Sequence, residues 1–165
     1  MKKLFFIMMM FVPVATFAQK FGHMDTQAIM QSLPEVSRVN GELEALAKQY
    51  DNDLQASQTE LQRKAEEYDK NKSTMNETKQ KETEQSLNDM YTRIQQQYQQ
   101  NQQDLQKAQQ DKLQPIINKV RTAIETVAKA GGYVYIMEVG SVLYINEALS
   151  KDVTADVKAQ LAKMK

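Results

Sequence analysis

Between Gly41 and Pro115 the chain runs for 73 residues without a glycine or a proline. Through that stretch apolar side chains recur in steps of three and four. Leu43, Leu46, Tyr50, Leu54, Leu61, Ala65 and Tyr68 form one series; Leu87, Met90 with Tyr91, Ile94, Tyr98, Leu105, Ala108 and Leu113 form a second. Such spacing, held this long, specifies helix with one narrow buried stripe. Nearly every other position is polar, so the segment has no second face to bury in a globular core and must stand in water as coiled coil.

The two series are separated by a polar run from Asp69 to Asn76. Within it Thr74 and Glu77 match a capping box, in which hydroxyl and carboxylate satisfy free amides at a helix start. The motif is common in polar helices, so one uninterrupted rod is the alternative to a reversal. A reversal near Ser73 makes facing residue numbers sum to about 146 to 148, because both arms rise equally. Leu61 then faces Leu87, Tyr50 lies near Tyr98, Leu43 faces Leu105, and Pro34 comes level with Pro115. The stripes zip together, which favours a hairpin over residues 35–115 with its tip near 70–76. Its arms, at 1.5 Å per residue, would project on the order of 55 Å. Eleven of the twenty residues from Gln95 to Gln114 are glutamine. An aggregation-prone polar tract is one reading; the regular apolar interruptions favour a solvated helical face built from a good helix former.

Residues 1–18 read as a cleavable signal peptide: Lys2 and Lys3, an apolar run from Leu4 to Val12, and a small-x-small site at Thr16-Phe17-Ala18. The apolar run is shorter than the roughly 20 residues of a permanent anchor, so export without stable membrane insertion is expected. Without Lys2 and Lys3 the chain keeps 19 basic residues against 21 acidic, a net charge of −2. That balance argues against nucleic acid, whose binding requires a basic surface. With no cysteine and a single histidine, a thiol nucleophile is excluded and a transition-metal site has almost no ligands to use.

The ends of the chain supply a body, residues 19–34 and 116–165. Lys20 to Asp25 read as a strand, followed by a helical turn through Ala28, Ile29 and Leu33 that stops at Pro34. Pro34 then suits the first turn of the long helix. Pro115 lacks an amide donor and should kink or restart the returning helix, making it a candidate hinge. Beyond it Ile116, Val120, Ile124 and Val127 form a denser apolar stripe that ends at Gly131-Gly132. Tyr133 to Val139 and Val142 to Ile145 are β-rich and separated by Gly140-Ser141, which predicts a tight antiparallel hairpin with Gly140 at positive φ. Residues 146–152 read as a loop, and Thr154 as the N-cap of a last helix carrying Val157 and Leu161. The fold class is therefore α+β, a long antiparallel helical hairpin on a small sheet-containing body. At about 64 residues such a body is marginal alone, and its short strands leave open edges. Association through Tyr133, Tyr135, Met137, Val139, Val142 and Tyr144 is expected, giving a homo-oligomer.

No constellation points to catalysis, and no cofactor is expected. His23 and Asp25 could share a strand face, but nothing orients them as an acid/base pair. The residues best suited to irregular partners are the aromatic and thioether side chains of the arms, Tyr68, Met75, Met90, Tyr91 and Tyr98. For Tyr68 and Tyr98 a simple place in the stripe is an equal reading.

The order of these segments carries a resemblance across all of the chain beyond the signal. Phe21-Gly-His-Met-Asp-Thr-Gln-Ala-Ile-Met-Gln-Ser-Leu-Pro-Glu35, the polar coiled coil, Leu113-Gln-Pro-Ile-Ile-Asn-Lys-Val120 with Ala123-Ile124 and Val127-Ala128, and the Gly132-Tyr133, Val142-Leu-Tyr144 and Asp152-Val-Thr154 end resemble the Skp/OmpH family of periplasmic chaperones. The resemblance implies a homotrimer joined through the body, with three hairpins around a cavity for unfolded outer-membrane proteins, working without ATP. It departs from the strongly basic members in charge: residues 60–84 hold six basic and seven acidic side chains. A periplasmic spacer or adaptor, docking one folded partner by its hairpin, is the alternative function.

Overall fold

The computed structural model describes residues 19–164; the expected signal peptide, residues 1–18, lies outside them. Strand β1 (Lys20–Met24) leads into a short helix α1 (Thr26–Gln31), whose first turn is capped by the Asp25 carboxylate accepting from the Ala28 amide. Helix α2 (Pro34–Asn71) starts with its proline in the first turn, where a missing amide costs nothing, and runs for 38 residues. A 3-10 turn at Lys72–Thr74 and the extended Met75 reverse the chain into α3 (Glu77–Gly131), 55 residues long. Asn76, not Thr74, caps α3: its side chain accepts from the Lys79 amide, while the Thr74 hydroxyl donates to the Asn71 carbonyl.

Helix α3 continues through Pro115 without interruption and ends where Gly132 takes φ 67°. A left-handed residue there turns its amide onto the carbonyls of Ala128 and Lys129, a geometry that penalises any residue with a Cβ. The chain then enters β2 (Tyr133–Glu138), a 3-10 turn at Val139–Ser141, strand β3 (Ser150–Asp152) and helix α4 (Thr154–Lys163).

The sheet corrects the expected β-hairpin. Its order is β2-β1-β3, and both pairings are parallel, with Phe21 opposite Tyr135 on one side and Ser150 on the other. Gly140 does not take positive φ; among the described residues Gly132 is the glycine that does. Val142 to Ile145 joins no strand pair among the described residues, and the segment expected as loop supplies β3 instead. The physical reason lies in the connections. Parallel strands require a long crossover, and the helical hairpin is that crossover, returning β2 beside β1 so that β2 needs no antiparallel neighbour of its own. Thr154 is likewise one residue inside α4 and not its cap. The Asp152 carboxylate accepts from the Thr154 amide, and the Thr154 hydroxyl accepts from the Asp25 amide.

One apolar core holds the body together: Met24, Ile29 and Leu33 from the start of the chain, Val39 at the base of α2, Ile116, Val120 and Ala123 of α3, and Val153, Val157 and Leu161 around α4. The root of each arm therefore contributes to the same core as the sheet.

Candidate functional site

The arms pack as an antiparallel pair, but in a different register from that expected. Glu35 meets Lys119 at 2.7 Å, Glu42 meets Lys112 at 2.6 Å, and the Tyr68 hydroxyl donates to Glu84 at 2.5 Å. These pairs place α3 further along α2 than the equal-arm count, by about one to two helical turns. The reversal consumes a 3-10 turn and two extended residues and so does not pivot on Ser73. Lys119 holds the Glu35 carboxyl below its ordinary value, first by its hydrogen bond, and Lys112 does the same to Glu42.

At the tip the Tyr68 ring is buried under Lys72, whose ammonium lies 5.2 Å from the ring centroid and 3.5 Å from the Glu84 carboxylate. The Tyr68 hydrogen bond, then the Lys72 charge, holds the Glu84 carboxyl low, and that same hydrogen bond raises the phenol. Met75 is half-buried beside this cluster, and Tyr68, Lys64 and Leu87 line the same recess.

Of the other arm residues singled out, Met90 is half-buried in the stripe, whereas Tyr91 and Tyr98 lie outside it, 54% and 55% exposed. One helical repeat of seven separates them, so they share a face of α3. The positions that carry the stripe past Ile94 are Gln97, half-buried, and Asn101, buried. Neither is apolar, so a count of apolar residues misses both; the step of three and four from Leu87, Met90 and Ile94 does point to them. Much of the arms' charge is paired within one helix: Arg63 bonds Glu60 and Glu67, Lys79 bonds Glu82, and Lys81 bonds Glu77.

The body carries a second feature. Tyr133 and Ile136 pack on the core, but Tyr135, Met137, Val139 and Tyr144 lie on its surface, as do Leu143 and Leu149. Val142 is half-buried. Leu143 is fully exposed and Tyr144 is 78% exposed. Tyr135 stacks on Phe21 with ring centroids 5.1 Å apart, and with Met137, Val142, Tyr144 and Leu149 they line a mostly apolar recess of about 210 Å³. Exposed apolar side chains grouped in this way are uncommon on a protein surface. His23 is buried in β1, with Nδ1 hydrogen-bonded to the Ser150 hydroxyl at 2.9 Å, while Asp25 is occupied capping α1. The two do not form an acid/base pair.

A long helical hairpin standing on a three-stranded parallel sheet defines this fold, and comparison with known proteins gives it a family. The family model described as "Outer membrane protein (OmpH-like)" matches residues 20–161, and the chain belongs to that family. The chaperone protein Skp of Yersinia enterocolitica is 28% identical over 144 residues, 87% of either chain. That of Yersinia pseudotuberculosis is 35% identical over 144 residues, 87% of this chain and 86% of the relative. A solved structure of a putative outer membrane chaperone (OmpH-like) from Caulobacter crescentus CB15 superposes with a TM-score of 0.77 at 21% identity, covering 89% of this chain and 86% of that one. That likeness bears on the fold; the curated relatives place the chain in a family of Skp-like chaperones.

Proposed function

We propose that this protein is an ATP-independent periplasmic holdase: copies associate through the body, as a trimer, and unfolded outer-membrane proteins are held between the arms. The observation that carries the reading is the division of exposed apolar side chains into two sets. One set, Tyr135, Met137, Val139, Leu143, Tyr144 and Leu149, with Val134 and Ile117 beside them in the chain's body segments, is concentrated on the body, where the unpaired Val142–Ile145 segment and the open sheet edges also lie. The other, Tyr91 and Tyr98, stands on an arm far from the core. The first suits burial against second copies of the chain. The second suits many weak contacts with a chain that has no fixed shape, because aromatic side chains combine apolar area with a polar handle. Met75 and Met90, half-buried beside the stripe, add adaptable contacts, and Tyr68 joins them only when the tip opens.

The client leaves when its own folding or insertion releases more free energy than these contacts hold, so no nucleotide is needed. The test is dilution of an outer-membrane β-barrel out of urea with a stoichiometric amount of this protein. Suppressed light scattering is expected, weakened when Tyr91 and Tyr98 are both replaced by serine. Unchanged aggregation, together with tight binding to one folded partner, would favour a spacer or adaptor.

A further inference from the structure

Within the arms, between Gly41 and Pro115, the buried side chains are Leu54, Tyr68 and Asn101. The asparagine lies in the stripe itself: Leu87, Met90, Ile94 and Gln97 lead to it, and Leu105 and Ala108 follow. The cross-arm pairs of Glu42 with Lys112 and Tyr68 with Glu84 set it level with the stretch of α2 around Tyr50 and Leu54. Its side-chain Nδ2 is sealed from solvent and has no hydrogen-bond partner among the described residues. An amide donor in that position has given up water and received nothing in return, which penalises the closed hairpin. It carries no penalty once the arms part and water returns. A seam asparagine that fixes register does so by bonding across the seam; the Asn101 donor makes no bond to the described residues of α2.

We infer that Asn101 is a joint built into the middle of the hairpin, the level at which α2 and α3 separate most readily. On the tip side the arms are closed by Tyr68, Glu84 and Lys72, and on the root side by Lys112 with Glu42 and by Ile116 and Val120 in the body core. Between these closures the stripe offers an unpaired amide. The stretch holds neither glycine nor proline to kink the helices; the packed faces part, and α3, deprived of that packing, opens its own backbone hydrogen bonds locally around Asn101. The joint is distinct from Pro115, which lies on one arm only and about 20 Å further along α3 at 1.5 Å per residue. Its effect is to let the outer arm, with Tyr91, change its lean while the root stays packed.

Hydrogen exchange on the mature full-length protein tests this directly. In the wild type, amides of residues 97–104 should exchange faster than those of residues 87–94 in the same helix. Asn101→Leu should slow that segment about tenfold, the order set by removing one unmade buried bond, and should narrow the distance distribution between spin labels at exposed Ser73 and Lys129. Asn101→Ala, which removes the donor without filling its space, should slow exchange less but in the same direction, and it decides the matter if the leucine variant does not fold. Uniform protection along α3 in the wild type, or exchange in Asn101→Leu within twofold of it, would overturn the joint.

Discussion

At the tip, one hydroxyl ties the two arms: Tyr68 donates to Glu84, and Lys72 lies close to both. The Glu84 carboxyl is held below its ordinary 4.5, so its contribution is complete above that value and is lost as the pH falls through its lowered value. The Tyr68 phenol is raised above 10.0, so its contribution is complete below that value and fails only as the pH rises further. The tip should therefore stay closed across neutral pH and loosen in acid, read as lost protection of amides 68–84, relative to their intrinsic exchange rate at each pH, as the pH falls below the ordinary carboxyl value of 4.5. Tyr68→Phe should exchange that segment fast at neutral pH and abolish the acid step. In the body, Ile29 is fully buried, and Ile29→Ala should cost about 2–5 kcal/mol, measured by denaturant unfolding at fixed protein concentration. Single residues were the least legible part of the sequence. The periodicity could not choose between Met90 and Tyr91, which are neighbours in the chain but differ in burial. It also assigned Tyr98 to a stripe that in fact runs through Gln97 and Asn101, because a count of apolar residues is blind to a buried amide.

Among elements, the helices could be read to within a residue or two, since local chemistry marks their ends: Pro34 in the first turn of α2, the polar reversal after Asn71, and Gly132 after α3. Strand pairing could not be read this way. The partner of Phe21 is Tyr135, more than a hundred residues away, and no local turn signal announces a parallel pair. The Gly140-Ser141 punctuation was real but closes a 3-10 turn. Pro115 sits in α3 without ending it. It removes one amide donor, so Pro115→Ala should stabilise the helix by up to about 3 kcal/mol. If the proline is also a hinge, the replacement should narrow arm-to-arm distance distributions measured with spin labels. Distributions that match the wild type would leave the root rigid and assign the flexing elsewhere.

In the whole molecule, two exposed apolar surfaces lie far apart, one on the body and one on the arms. The long crossover that builds the parallel sheet is also the projecting hairpin, so the connection that makes the body places Tyr91 and Tyr98 away from it. The body, meanwhile, leaves Tyr144 and the unpaired strand-like segment around it uncovered. A photo-reactive amino acid placed singly at Tyr98 or at Tyr144, in the mature protein mixed with an unfolded outer-membrane β-barrel, tests that division in one gel. Adducts of this chain with the β-barrel are expected from position 98, and adducts between two copies of this chain from position 144. Client adducts from position 144 with none from position 98, or no copy-to-copy adduct from position 144, would contradict it.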